Sequence, residues 1–218
     1  MTLRLSGGRR LQSPPGETAR PTSARVRQAV LNLLAADLPG CRWLDLCCGS
    51  GVMACEALQR GARELVAIER DRRVAAVARA NLEAVAAGLG PPPPQVRLIQ
   101  ADARRWLSGQ ASAAGGAAAE ASAAGALERR FDLIYCDPPW PAGLHGPLSE
   151  AVARGGWIHP EGTLVWECPS EQVPPAPAGW RVRDQRRYGS TTVLMLQQVS
   201  LLQQGESLQP SSREPRRY

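Results

Sequence analysis

The ten residues Phe131-Asp132-Leu133-Ile134-Tyr135-Cys136-Asp137-Pro138-Pro139-Trp140 carry the clearest chemistry in the chain. A mostly apolar run ends in an acid, two prolines and an aromatic ring, which is the pattern of a buried strand opening onto a ligand at the carboxyl edge of an α/β sheet. An amino nitrogen attached to a nucleic-acid base is a poor nucleophile, because its lone pair is delocalised into the ring. It needs acceptors for its hydrogens. Asp137 and the main-chain carbonyl of Pro138 can accept them and draw the nitrogen towards tetrahedral geometry. Pro138 and Pro139 hold that carbonyl rigidly, and Trp140 can stack on a base taken out of its helix or loop. A plain strand, a Pro-Pro turn and a core tryptophan is the competing reading.

A second cluster lies upstream. In Leu44-Asp45-Leu46-Cys47-Cys48-Gly49-Ser50-Gly51 an acid precedes a turn of small residues. Gly49 and Gly51 let the backbone turn sharply and approach a ligand closely. Glu69, twenty residues beyond Gly49, follows a second apolar run and can accept both hydroxyl protons of a ribose. Asp102, after a third run, suits an adenine amino group. Gly49, Gly51 and Ala54 also satisfy the dinucleotide fingerprint, so a nicotinamide or flavin enzyme competes. Against it, Asp45 would sit poorly beside a pyrophosphate and well beside the cationic amino-acid end of S-adenosylmethionine, and no hydride-transfer acid or base is recognisable. Asp45 could simply cap its turn and Glu69 could be a solvated strand end. Taken together, the three acids and the glycine loop favour the methyl donor.

Composition removes other chemistries. All 26 basic residues are arginine, which excludes a P-loop lysine, a Schiff-base lysine and a Tyr-Lys dehydrogenase pair. Only His145 and His159 are available for Ser-His-Asp chemistry. The six cysteines, Cys41, Cys47, Cys48, Cys55, Cys136 and Cys168, show no C-x-x-C spacing, so neither zinc nor a disulfide framework is expected. A cytosine C5 methyltransferase would need Pro-Cys order; Cys136 precedes Asp137, and Cys168-Pro169 runs the other way. The net charge of +6 and pI near 9.4 fit either coding bias or attraction to a polyanion such as RNA. No long apolar run suggests a membrane span or export signal, so a soluble cytoplasmic protein is expected.

Those chemical residues need elements to hold them. Short apolar runs alternate with helical patterns: strands at Trp43–Leu46, Leu65–Ile68, Val96–Gln100, Phe131–Cys136 and Thr163–Glu167, with helices at about Val52–Arg60 and Arg72–Ala87 that Gly61 and Gly88 should stop. This alternation predicts an α/β fold, a parallel sheet with helices on both faces. Trp180–Arg187 and Thr191–Gln197, flanking Tyr188-Gly189-Ser190, predict an antiparallel hairpin added to one edge. Ahead of the sheet come a short hairpin around Gly7-Gly8 and a helix capped by Thr22 or Ser23, with Val26, Ala29, Val30, Leu33 and Leu34 facing inward. Residues 1–40 thus form a flank, 41–200 the main domain with an Ala/Gly/Ser-rich insertion at about 108–125, and 201–218 a tail expected to be disordered.

With these residues in view, the chain resembles the bacterial methyltransferases that modify the N2 of one guanine in small-subunit (16S) ribosomal RNA. The resemblance runs from about residue 4 to 197. It rests on Gly7-Gly8, Arg10-Leu11, Arg20-Pro21-Thr22 through Arg25-Val26-Arg27, Asp45 to Gly51, Glu69-Arg70-Asp71, Asn81-Leu82, Asp102 and Asp137-Pro138-Pro139. It departs from the family at Trp140, where phenylalanine is usual, and at Cys47-Cys48. The resemblance implies a Rossmann-like class I methyltransferase fold with a seven-stranded, mostly parallel sheet. Asp45, Cys47, Gly49, Ser50, Gly51, Glu69, Arg70, Asp102 and Ala103 would then contact S-adenosylmethionine. Asp137, Pro138, Pro139 and Trp140 would perform the transfer, and Arg20, Thr22, Arg25 and Arg27 would contact RNA. It further implies a monomer acting on ribosomal RNA within an assembling small subunit, without metal or membrane. An adenine-N6 or protein-glutamine N5 methyltransferase could use the same motif, and a catalytically silent RNA-binding scaffold would be signalled by damage to the pocket.

Overall fold

A computed structural model describes residues 3–14, 23–109 and 130–199. Arg20 and Thr22, residues 110–125 of the expected insertion, and the 201–218 tail lie outside the described residues.

The strands are β1 (Arg42–Leu46), β2 (Glu64–Glu69), β3 (Gln95–Gln100), β4 (Phe131–Cys136), β5 (Ile158–Pro169), β6 (Trp180–Tyr188) and β7 (Thr191–Gln198). They form one seven-stranded sheet in the order β3-β2-β1-β4-β5-β7-β6. The first five strands pair in parallel, while β7 runs antiparallel to both β5 and β6. This is the mixed α/β, Rossmann-like sheet that the alternation and the resemblance implied. The chain winds outward from β1 through β2 to β3, then returns to place β4 on the other side. That reversal makes the carboxyl ends of β1 and β4 the switch point, where open α/β sheets bind ligands.

Burial on both faces explains the near-continuous apolar runs. Side chains alternate along each strand, so Trp43, Leu65, Leu133 and Tyr135 enter one core and Leu44, Leu46, Ile68 and Ile134 the other. The first core is covered by α1 (Ala24–Leu33), α2 (Val52–Gln59) and α3 (Arg72–Ala86), the second by α4 (Ala103–Leu107) and α5 (His145–Arg154). Leu5 and Leu11 of the N-terminal turn and Val26, Val30 and Leu31 of α1 join the first core. Each such apolar side chain contributes about 1.5–3 kcal/mol relative to exposure, which fixes the flank against the sheet.

Three local features differ from the sequence expectation. Helix α1 is capped by Ser23 as expected, but it is turned so that Arg27 points inward and is buried. Its guanidinium donates to the carbonyl of Arg4 at 2.7 Å and lies 3.8 Å from the buried Glu56 carboxylate. Arg27 therefore ties the flank to α2 and does not face a phosphate, a correction to the expected RNA-contacting set. Strand β5 begins five residues earlier than expected because the register shifts between Phe131 and Leu133. Gly162 permits this, since a Cβ there would stand 2.9 Å from the Asp132 carbonyl. Helices α4 and α5 were not anticipated. Pro147 masks α5, although a proline in the first helical turn removes no intrahelical bond.

Candidate active site

The loop from Cys47 to Gly51 connects β1 to α2 at the switch point. Cys47, Gly49 and Gly51 all adopt positive φ, at 66°, 54° and 75°. Gly51 is also the N-cap of α2, where its positive φ favours glycine and a Cβ would come into contact with Ala78 of α3 at 3.4 Å. The Cys48 amide donates to the Ile68 carbonyl at 2.9 Å. Asn81 of α3 donates to the carbonyls of Ser50 and Gln12, and accepts from the Gln12 amide. One buried amide thus joins the glycine loop, α3 and the N-terminal flank.

At the end of β2, Glu69 accepts from the Gly49 amide at 3.0 Å and from the Asp71 amide at 2.9 Å. The carboxylate is thereby oriented by two loops at once. Asp71 caps α3 through the amides of Arg73 and Val74, and those bonds hold its carboxyl below the usual range. Asp102 caps α4 through the Arg105 amide at 3.0 Å.

A cleft of about 730 Å³ opens over these ends. Cys47, Gly49, Ser50, Glu69, Arg70, Asp102 and Ala103 all line it, as do Asp137, Pro138, Pro139 and Trp140. The two sequence clusters, more than thirty residues apart in the chain, therefore share one cavity. Ser23 and Val26 at the start of α1 also line it, whereas Arg25 on the same helix is exposed. After β4 the chain forms a short 3-10 turn, Trp140–Ala142, closed by the Ala142 amide on the Pro139 carbonyl at 2.9 Å. Trp140 is half-buried there.

Asp45 and Gly51 do not line the cleft directly. Asp45 is 1% exposed and lies behind the loop; burial, reinforced by the negative charge of Asp137 and Glu69, pushes its carboxyl well above the ordinary range, and the Ala54 main chain partly offsets this. Its Oδ2 is a buried acceptor without a hydrogen-bond partner. Among the described residues, no group of three or more potential ligands is arranged to hold a metal ion. Several carboxylates, one of them incompletely satisfied, with no metal geometry, suit an organic cation. The donor set therefore fits S-adenosylmethionine.

Two site features were missed in the sequence. Glu167, at the end of β5, is 3% exposed and lines the cleft; Tyr135 donates to its Oε2 at 2.5 Å. The signal was present, since Glu167 is another acid at a strand's carboxyl end, beside Asp137. The β6–β7 turn, Tyr188 to Thr191, also reaches the cleft, and the Ser170 amide holds it by donating to the Ser190 carbonyl at 2.9 Å. The cysteines are free, and burial pushes the thiols of Cys47 and Cys168 up to about 12 and about 11. They stay protonated, as packing groups do.

The chain's similarities to known proteins agree with this geometry. The family described as "Conserved hypothetical protein 95" matches residues 5–197. Ribosomal RNA small subunit methyltransferase D of Escherichia coli K12 is 27% identical over 201 residues, 92% of this chain and 88% of that protein. The solved structure of E. coli YhhF superposes with a TM-score of 0.70 at 27% identity, covering 92% of this chain and 99% of that one. The rRNA methyltransferase AviRa of Streptomyces viridochromogenes, at 18% identity, shares the fold with a TM-score of 0.58 over 86% of this chain and 88% of its own.

Proposed function

Since the chain belongs to the family described as conserved hypothetical protein 95, as the resemblance in its motifs implied, we propose that it is an S-adenosylmethionine-dependent RNA methyltransferase acting on the exocyclic N2 of a guanine in small-subunit ribosomal RNA. The similar E. coli protein is named for methylation of that RNA. The observation that carries the reading is the single cleft at the switch point, in which Asp137-Pro138-Pro139-Trp140 faces the loops bearing Gly49, Glu69 and Asp102.

When bound, S-adenosylmethionine supplies an electrophilic methyl group on a sulfonium. Glu69 binds ribose hydroxyls with a carboxylate already oriented by the Gly49 and Asp71 amides. Asp102 takes the adenine amino group, and Cys47, Ser50, Arg70 and Ala103 form the surrounding walls. Asp45 balances the positive charge from behind the loop. Asp137 and the Pro138 carbonyl accept hydrogens from the target amine, which orients its lone pair; Trp140 stacks on the base. Arg25, exposed on the helix whose start lines the cleft, contacts RNA, as do Arg20 and Thr22, so residues 1–40 serve as an RNA-binding flank to the 41–200 domain.

The test is to incubate the protein with radiolabelled donor and small-subunit ribosomal RNA, naked and assembled into particles, then to digest to nucleosides. Label in N2-methylguanosine is expected. Label in N6-methyladenosine, or on protein glutamine, would replace this reading with one of its rivals.

A further inference from the structure

Glu167 is a buried acid to which the mechanism above gives no part. It follows Trp166, which pairs in parallel register with Cys136, the last residue of β4, so Asp137 and Glu167 each come directly after a paired residue on neighbouring chains of the sheet. Alternation along β5 puts Glu167 on the sheet face that carries Tyr135, the charge of Asp137 also acts on that phenol, and both acids line the cleft. The Glu167 side chain is held in place. Tyr135, which donates to its Oε2 at 2.5 Å, is fully buried and stacked on Trp43 with ring centroids 6.0 Å apart. Burial and the neighbouring acids keep that phenol protonated, so it remains the donor. The main chain is fixed as well: Nε2 of the buried His145 donates to the Glu167 carbonyl at 2.9 Å.

A carboxylate can accept more than one hydrogen bond, and two carboxylates side by side form a template for two neighbouring donors. Guanine presents such a pair, its ring N1–H beside its amino group. Adenine and cytosine place a lone pair next to theirs, which would face Glu167 as acceptor against acceptor. We infer that Glu167 reads the Watson–Crick edge of the target base, accepting the N1–H of guanine while Asp137 accepts from the amine, and so selects guanine over adenine. The inference rests on the amino-methylating reading of this cleft.

The experiment first locates the guanine that wild-type protein methylates, by mass spectrometry of nuclease digests of small-subunit RNA, and then replaces it with adenine. Wild type should leave the adenine RNA unmodified. Glu167→Gln, whose amide can donate to adenine N1, should lower kcat/KM on the guanine RNA about 10- to 100-fold, gain N6-methylation of the adenine RNA, and bind the donor with unchanged affinity. Tyr135→Phe, which keeps the carboxylate but frees it, should narrow the same guanine-to-adenine ratio by less. A role confined to folding would lower activity on the guanine RNA with no gain on the adenine RNA. That outcome, or a Glu167→Gln enzyme with wild-type activity and preference, would overturn the role of Glu167 alone. Wild-type label on adenine, or on no base, would overturn the underlying reading and this one with it.

Discussion

Glu69 shows how much of the site is arranged before a ligand arrives. Its two oxygens already accept from Gly49 and Asp71, and its remaining lone pairs can meet ribose hydroxyls at little entropic cost. Glu69→Ala should weaken S-adenosylmethionine binding by about 1.5–3 kcal/mol for each charged hydrogen bond lost. Titration calorimetry showing unchanged affinity would refute the ribose assignment. Asp45 gives a pH signature. Its carboxyl is raised well above 3.8 by burial and by neighbouring acids, so the ligand-free protein holds that proton to higher pH than an ordinary aspartate, and ionising Asp45 costs stability as pH rises from 3.8 through the raised value. A cation bound beside it favours the ionised form and expels the proton. Donor affinity should therefore climb as pH rises above 3.8 towards the raised value, by up to about tenfold per unit, and level off once that value is passed. Asp45→Asn should bind more weakly and flatten the profile; an equally steep profile in the variant would remove Asp45 from the donor site.

At the scale of elements, α1 separates two arginines that the sequence had grouped. Arg25 is exposed at the helix whose first residues line the cleft, whereas Arg27 is buried against Glu56. Arg25→Ala should lower the slope of log affinity against log salt for RNA by about 0.7 to 0.9 with stability intact. Arg27→Ala should instead destabilise by about 1–3 kcal/mol, the scale of losing a buried partner from a group that keeps others, since Glu56 retains its bonds from Ser6. Urea denaturation and RNA binding at several salt concentrations distinguish the two. The helix also shows where sequence reading stops. Apolar spacing at Val26, Val30 and Leu34 located α1 and Ser23 as its cap, but an arginine counts as outward until its partner is known, and Glu56 is 29 residues away. The strands were legible because burial on both faces leaves unbroken apolar runs. Helix α5 was not, because Gly146-Pro147 looks like a break unless it falls in a first turn. The tight turn after β1 was legible because positive φ favours glycine at Gly49 and Gly51, while Glu167 was overlooked because only strand order puts it near Asp137.

In the whole molecule, the sheet order does the assembling. Starting at β1 and reversing after β3 brings the β1 loop and the β4 end, ninety residues apart, to one edge, and helices on both faces leave that edge as the cleft. The flank is built into the same core through Leu5, Leu11 and α1, and Asn81 connects it to the glycine loop. The described parts of the flank proposed to hold RNA are thus packed on the same core as the cleft. The net charge of +6, with arginine as the sole source of positive side-chain charge, suits the proposed polyanionic substrate. Donor binding and methyl transfer should nonetheless be separable, because the proposed function gives Asp45, Glu69 and Asp102 to the first and Asp137 to the second. Single-turnover methylation by Asp137→Ala, with saturating donor and small-subunit RNA, tests this most directly. Donor affinity should remain near wild type while the transfer rate falls about 10²-fold or more; transfer at the wild-type rate would contradict the assignment of this cleft to amino-group methylation.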